Sequence, residues 1–380
     1  STHFDDYEFF ARRHRLLDVM EARKLDGILL FQQESMYWLT GYDTFGFCFF
    51  QCLYLGADGR MALLTRSADL RQAKHTSILD DVRVWKDGKN ANPSQDLVAM
   101  VIDDIVVCGA EPLFMTDYIA CGHLEPTRIA DIVRGIANAC KAVDVALVGG
   151  ETAEHPGLLG PEEYDVAGAA VGVVEKSKIL SADSVQVGDV VLGLGASGLH
   201  SNGYSLVRKI VADHNLDYKQ QMPEFGRSLG EELLEPTALY TGVLNKLLAD
   251  VRFQGKISTM SHITGGGIAA NLSRVLPGNV MLEVDRSTWS PRPVFQVMAS
   301  IADIDLFDLE TTWNLGLGFA VVVRSESATA ISETLNALGV KTWELGWIQA
   351  RPAGELAPDF VSVAKGVAGG AVRLVGNYGD

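Results

Sequence analysis

Four short stretches carry residue types that could handle phosphate chemistry. Asp103-Asp104 closes an apolar run. Paired carboxylates beside apolar neighbours cost desolvation energy unless cations or donors meet them, and Mg²⁺ takes carboxylate and phosphate oxygens together. A solvated helix face accounts for the pair equally well. Gly149-Gly-Glu-Thr-Ala-Glu154 directly follows the apolar run Val145–Val148. Gly149 and Gly150 would let backbone approach a ligand, and Glu151 is expected at a strand end, where ligand sites gather; a plain Gly-Gly turn is the alternative. Gly195-Ala-Ser-Gly-Leu-His-Ser-Asn-Gly203 is expected to lead from a strand into a helix, so that Ser201, Asn202 and free N–H groups seat an anion. Within it His200 could bind phosphate or shuttle a proton, or simply accompany a capped helix. His262-Ile-Thr-Gly-Gly-Gly267 offers a second cradle, with Thr264 as hydroxyl donor ahead of Gly265, Gly266 and Gly267. Three glycines in a row are costly in chain entropy, which weighs against a plain loop. Asp117 is expected to end a strand near the same site or to cap it, His123 and His155 read as surface residues, and Asn314 could reach a ligand. The Walker pattern does not occur.

The elements that must hold these residues fall into stretches of different texture. Residues 4–25 read as an amphipathic helix and Gly27–Phe31 as a buried strand. Cys48–Leu55, Met61–Thr65 and Val82–Trp85 read as further strands, with a turn at Asp58-Gly59, which makes a small α/β unit. Asp87–Ser94 combines Gly, Asn, Pro and Ser and reads as a linker. Beyond it the pattern predicts a helix over Leu97–Val107, a strand over Pro112–Tyr118, a helix over Arg128–Ala142, and strands over Val145–Val148 and Tyr164–Val174. The polar stretch Lys176–Ser184 marks a second boundary, and another unit begins with a strand near Val187–Leu194. Thereafter helices (203–213, 236–249, 267–276, 326–338) alternate with strands (280–284, 317–323, 343–348), an α/β or α+β layering. The expected domains are 1–92, 96–178 and 179–380.

The chain has 380 residues, 47% hydrophobic and 21% charged, enough apolar material for packed cores. Thirty-two basic against 48 acidic residues give a net charge of −16. That argues against nucleic-acid and anionic-membrane partners, which need a cationic footprint. It leaves room for a nucleotide whose phosphates reach carboxylates through a metal. No apolar run approaches the ~20 residues of a spanning helix and no signal peptide opens the chain. The five cysteines are odd in number and lack a CxxC pair, so a disulfide framework or structural zinc is not expected and a cytoplasmic location is. Cys48 and Cys52, among Phe47, Phe49 and Phe50, read as core packing rather than metal ligands.

From about Asp96 onward the chain resembles the phosphoribosylformylglycinamidine cyclo-ligase (aminoimidazole ribonucleotide synthetase) family. The resemblance rests on Asp96-Leu-Val-Ala-Met100, Gly109-Ala-Glu-Pro-Leu-Phe114, Val148-Gly-Gly-Glu-Thr-Ala-Glu154, Tyr164-Asp-Val-Ala-Gly168, Val171-Gly-Val-Val-Glu-Lys176, His200-Ser-Asn-Gly-Tyr-Ser205, Leu234-Glu-Pro-Thr237 and His262-Ile-Thr-Gly-Gly-Gly267, in family order over about three quarters of the chain. Residues 1–92 are similar instead to the N-terminal domain of creatinase and aminopeptidase P relatives, including ectoine hydrolase, through Arg12-Arg-His-Arg-Leu-Leu17, Leu25-Asp-Gly-Ile-Leu-Leu-Phe31 and Tyr37-Trp-Leu-Thr-Gly-Tyr42. No trace of the later metal-binding domain of those hydrolases follows. The combined resemblance implies an α/β and α+β multidomain chain: a creatinase-N-like α/β unit fused, near Asn92–Asp96, to a two-domain synthetase-like architecture whose first domain is truncated. The family's Thr-Asp-Gly-Val-Gly-Thr-Lys stretch, which contributes to its nucleotide site, has no equivalent in residues 1–95, and Asp103 stands where the family usually has asparagine.

The resemblance further implies ATP-dependent ring closure of formylglycinamidine ribonucleotide through an iminophosphate, with ATP and Mg²⁺ as cofactors, a small-molecule nucleotide substrate, and a homodimer whose first domains share a barrel. It assigns Asp104 and Glu151 to Mg²⁺, with Asp103 assisting and Asp117 a lesser candidate in the same cluster. His200, His262 and Asn202 would act on phosphate or the reacting formyl group, and Ser201, Gly149, Gly150 and Thr264–Gly267 would line the nucleotide and phosphate site. Three alternatives stay open: another ATP user of the same superfamily, an inactive chimera or binding protein, and a hydrolase suggested by the N-terminal resemblance.

Overall fold

The computed structural model describes residues 4–43, 51–66, 70–85, 93–364 and 366–379. Cys48, residues 87–92 of the expected linker and, of the expected fusion seam, Asn92 lie outside them. The chain divides into two compact units, Ser1–Gly88 and Lys89–Asp380.

The first unit contains α1 (Asp6–Ala22), β1 (Gly27–Leu30), α2 (Gln33–Thr40), β2 (Cys52–Gly56), β3 (Met61–Arg66), α3 (Leu70–Thr76) and β4 (Val82–Trp85). Asp5 starts α1 by accepting the Glu8 backbone N–H at 2.8 Å. The sheet runs β1-β2-β3-β4, antiparallel except for the β3–β4 pair. Met20, Met36, Leu39, Leu53, Leu55 and Leu63 form its core. The first strand is not buried as expected: Leu29 lies opposite Tyr54 and both are exposed, because their side of the pleat is the one turned away from that core.

The second unit opens with α4 (Pro93–Val106), β5 (Glu111–Cys121), α5 (Pro126–Ala142), β6 (Ala146–Glu154) and β7 (Tyr164–Val173). The strands form a three-stranded sheet in the order β6-β5-β7, parallel between β5 and β6 and antiparallel between β5 and β7. Helices α4 and α5 cover one face, where Val98, Ile102, Ile132 and Ile136 pack on Met115 and Ile119. The opposite face stays open, with Thr116, Val148 and Val171 exposed.

The remainder comprises β8 (Val190–Gly195), α6 (Tyr204–Asp213), β9 (Gln221–Met222), β10 (Arg227–Ser228), α7 (Leu229–Leu233), α8 (Thr241–Ala249), β11 (Ile257–His262), α9 (Gly267–Arg274), β12 (Val280–Asp285), α10 (Pro293–Ala302), β13 (Leu317–Val323), α11 (Ala328–Ala337), β14 (Thr342–Ala350), β15 (Val361–Ala364) and β16 (Val367–Val375). A seven-stranded mixed sheet, β11-β13-β8-β14-β12-β16-β15, is its centre. Both faces are covered. Val191, Ala320 and Val322 pack towards α9 through Ile268 and Leu272, while Val190, Leu192 and Val321 pack towards α8 and α11 through Leu244, Leu247 and Ile331.

Two further expectations need correction, and one strand was not expected. The helix expected from 236 begins at Thr241, where the carboxylate of Asp103 takes up the backbone N–H groups of Tyr240 and Thr241. The strand Ile257–His262 escaped the apolar pattern because it is rich in serine, threonine and histidine, although all six residues are buried. Gly149–Glu154 is the interior of β6, not a turn after it: pairing with β5 runs on to Cys121 opposite Glu154.

Candidate functional site

The order β11-β13-β8, with β13 antiparallel to both neighbours, brings the C-terminal ends of β8 and β11 and the start of β13 to one sheet edge. The stretches Gly195–Gly203 and His262–Gly267 leave from that edge, and α4 passes it. Leu97, Val98 and Ile102 of α4 face the three-stranded sheet, whereas Val106 packs into the core of the seven-stranded one. Asp103 and Asp104 sit on this bridging helix, and one residue of helical advance separates their fates.

Asp103 is fully buried. Its Oδ1 accepts the Thr241 N–H at 2.8 Å and the Thr241 hydroxyl at 2.7 Å, and both its oxygens take the Tyr240 N–H at 3.2 Å. Burial pushes its pKa up, against the opposing effects of His262 and these donors. The carboxylate fixes α8 to α4 and is committed to that task. Asp104, with a side chain 60% exposed, meets Nδ1 of His262 at 3.0 Å.

His262 ends β11, buried, with its ring stacked on Phe319 at 5.7 Å. Tyr240 stands between the two histidines, 6.2 Å from the His200 ring and 6.5 Å from the His262 ring, and donates its hydroxyl to the Gly195 carbonyl at 2.8 Å. His200 is 2% exposed and takes the left-handed backbone conformation at φ 58°. Its Nε2 accepts the Ser197 N–H at 3.0 Å and the Ala238 N–H at 3.4 Å. Burial first, then the charges of His262 and Arg292, push its pKa down to about 3. Burial thus favours the neutral ring.

Thr264 to Gly267 form the turn into α9. Asn271, one helical turn later and fully buried, donates to the carbonyls of Thr264 at 3.0 Å and Gly267 at 2.7 Å. It accepts from the Thr264 hydroxyl at 3.3 Å and from Arg274. Arg274 lies in the field of Asp104, and burial lowers its pKa. Asn202 reaches this turn: a Cβ on Gly265 would sit 3.2 Å from its Oδ1. Ser201 shares a hydrogen bond with Thr237 at 2.9 Å. Asn314 is spent on the loop itself, donating to the carbonyls of Gly198 and Leu199.

His200, Ser201, Asn202, His262, Thr264, Gly265, Gly266, Gly267 and Asp104 thus gather at one sheet edge. The other expected residues do not join them. Asp117 lies mid-strand on the helix-covered face, in register with Gly150, and burial raises its pKa. Glu151 pairs with Tyr118 one step along β5, so the pleat turns it to the opposite, open face. Gly149 follows a register shift at Val148 that adds one residue to β6. Among the described residues no three His, Cys, Asp or Glu side chains converge as a metal site. The three-carboxylate set Asp103, Asp104 and Glu151 is therefore not assembled: one carboxylate is spent, one is on the other face of a sheet, and Asp104 alone faces the site. A single carboxylate does suit a Mg²⁺ carried largely by phosphate oxygens. His155 bonds Tyr118 at 2.8 Å and His123 pairs with Glu154 at 3.3 Å, away from the sheet edge.

Tyr240, Asn271 and Arg274 are the residues of this site that sequence reasoning missed. Asn271 carried a usable signal: a short polar amide inside an otherwise apolar helical stretch, four residues after the last of three glycines.

Two family models cover most of the second unit: the AIR synthase related protein N-terminal domain matches residues 77–174, starting within the first unit, and the C-terminal domain matches residues 186–358. The Creatinase/Prolidase N-terminal domain matches residues 12–111 and so overlaps the former. The phosphoribosylformylglycinamidine cyclo-ligase of Acetivibrio thermocellus is 45% identical over 63% of this chain and 70% of its own length. That of Thermosynechococcus vestitus is 45% identical over 69% and 75%. Among solved structures, E. coli HypE, a hydrogenase maturation protein, superposes with a TM-score of 0.53 at 16% identity, covering 76% of this chain and 77% of that one. Thiamine-monophosphate kinase from Stenotrophomonas maltophilia superposes with 0.54 at 17% identity, covering 77% and 80%. These two likenesses establish the fold, and the sequence identities establish that the chain belongs to the phosphoribosylformylglycinamidine cyclo-ligase family.

Proposed function

We propose that this chain closes the imidazole ring of aminoimidazole ribonucleotide from formylglycinamidine ribonucleotide at the expense of ATP. The observation that carries this reading is the gathering of both histidine-containing family motifs with Asp104 at one sheet edge. The chemical problem is an amide oxygen that leaves poorly. Transfer of the γ-phosphoryl group to that oxygen makes it a phosphate leaving group, and the amidine nitrogen then closes the ring. Such catalysis rests on positioning and on neutralising charge. In this reading the turn Thr264–Gly267 and the residues Ser201 and Asn202 receive phosphate oxygens, His262 orients or donates to the reacting group, and His200 meets its oxygen. Mg²⁺ would arrive with the triphosphate, and Asp104 is the carboxylate placed to share it.

A homodimer agrees with the open face of the three-stranded sheet, where Leu113, Phe114, Val148, Val171 and Val173 are exposed. No helix among the described residues is long and apolar enough to cross a membrane, and a cytoplasmic location suits a nucleotide substrate. A second reading, a chain that binds nucleotide without turning it over, is favoured by the unassembled carboxylates.

ADP release from the purified chain with Mg-ATP, with and without formylglycinamidine ribonucleotide, separates the two. The cyclo-ligase reading expects ribonucleotide-dependent release that falls by about 100-fold in Asp104→Ala. Tight Mg-ATP binding with no release would leave the binding protein. Equal loss in Glu151→Ala would mean that a closed state or a second copy brings that carboxylate to the triphosphate.

A further inference from the structure

His200 presents an unusual combination. Its ring is walled in, with a Cβ on Gly318 falling 2.5 Å from its Cε1 and 2.0 Å from the Tyr240 hydroxyl, so a glycine there is what admits the two rings. Its backbone adopts a left-handed conformation that non-glycine residues reach only at a cost, and such residues concentrate at functional sites. Two backbone N–H groups, from Ser197 and Ala238, point at Nε2. An N–H can only donate, so Nε2 must be the lone-pair nitrogen and the proton must sit on Nδ1. That Nδ1 is buried and has no hydrogen-bond partner among the described residues. A buried donor without an acceptor is costly, and each such group in a fold calls for an explanation.

The groups around it say what it would take. The positive charge of Arg292 acts on the ring, Asp104 is held by His262, and Tyr240 already spends its hydroxyl on the Gly195 carbonyl. Positive surroundings and a lone N–H favour an electron-rich oxygen.

We propose that His200 recognises, through Nδ1–H, a substrate oxygen that is or becomes anionic, and that it holds this one neutral tautomer throughout turnover without ever carrying the proton. Under the ring-closure reading, on which this rests, that oxygen is the amide oxygen and then the phosphoryl group it accepts. The role is that of an oxyanion donor, fixed in advance by two backbone N–H groups, and not of an acid or base.

Two substitutions divide the ring's functions. His200→Gln offers an amide oxygen near the former Nε2, so Ser197 and Ala238 keep their acceptor while the Nδ1 donor is lost. His200→Asn offers an amide N–H near the former Nδ1 and leaves those two backbone groups unpaired. His200→Gln is expected to melt close to wild type with kcat/KM down by about 100-fold. His200→Asn is expected to melt lower, yet to keep at least about ten times more kcat/KM than the glutamine variant. Long-range ¹H–¹⁵N correlation on histidine-labelled wild-type chain reads the tautomer directly. The expected signal is a protonated Nδ1, unchanged from about pH 5 to about pH 9, that moves when formylglycinamidine ribonucleotide and ADP are added.

A proton on Nε2, a titration inside that range, an Nδ1 signal indifferent to both ligands, or wild-type turnover in His200→Gln each overturns the proposal. If wild type itself shows no ribonucleotide-dependent ADP release, the ring-closure reading is what fails. The tautomer and its response to the two ligands still decide the case for His200.

Discussion

Gly149–Gly150 and Gly265–Gly267 are glycine runs that each follow an apolar or buried strand segment, and the fold puts them to opposite uses. The first lies inside β6, where pairing with β5 continues for four more residues. There Gly150 makes room for a side chain: a Cβ would fall 2.2 Å from Oδ1 of Asp117 on the neighbouring strand. The second follows the last residue of β11, at the point where the ladder runs out because its partner β13 begins only at Leu317. There Gly267 makes room for backbone, with φ at +75° and a Cβ position 1.6 Å from the Glu310 carbonyl oxygen. What decides between a cradle and a strand interior is the length of the neighbouring strand, which no local motif encodes.

The largest effect should come from Gly267→Ala. A methyl group would have to displace backbone that cannot swing aside, in a left-handed conformation that already disfavours alanine. Together these should cost about 4 kcal/mol, with ADP release lost alongside. A denaturant midpoint within error of wild type would show that the turn into α9 can re-form, and would erase the contrast between the two runs.

Gly150→Ala should cost less, about 1–2 kcal/mol, because what it meets is a side chain. The assignment predicts a specific rescue. In Gly150→Ala with Asp117→Ala the obstructing carboxyl is gone, so the double variant should be more stable than the sum of the single costs by about 1 kcal/mol. Strict additivity would mean that the two residues do not share that space. Asp117 also sets a pH signature. Burial raises its pKa in the folded chain, so folding favours the protonated form. That advantage is complete below the unfolded pKa and is lost as pH rises through the folded one. Asp117→Asn should therefore raise Tm at about pH 8 and change it little at about pH 3. The opposite order would place a cation or donor beside the carboxylate.

The contrast also marks how far the residues could be read before the fold was known. Helix α5 and strand β13 follow from apolar spacing, the first burying one stripe and the second both faces. Strand β11 does not, because Ser258, Thr259, Ser261 and His262 are buried without being apolar, satisfied by partners on distant elements such as Asp189 and Asp104. Of the site, the two histidine motifs were legible as helix-entry turns that could seat anions. Asp103 and Asp104 were not separable, because only the docking of α4 between two sheets tells which one is buried. The motif reads Glu151 to a strand end because it does not carry the length of β5, which is eleven residues.

The finest test of the contrast is Gly265→Ala, for which the smallest stability change is expected. Its φ is not left-handed, and the nearest atom to an added Cβ is Oδ1 of Asn202 at 3.2 Å, the end of a side chain that can shift by a few tenths of an ångström. Stability should change by less than about 0.5 kcal/mol. The cost should appear in binding. If the turn receives phosphate oxygens, a methyl group at its rim crowds both the ligand and the Asn202 amide beside it. KM for ATP or for the ribonucleotide should then rise several-fold while kcat moves less. Unchanged KM for both ligands, in a variant as stable as wild type, would leave the second run as empty of ligand as the first.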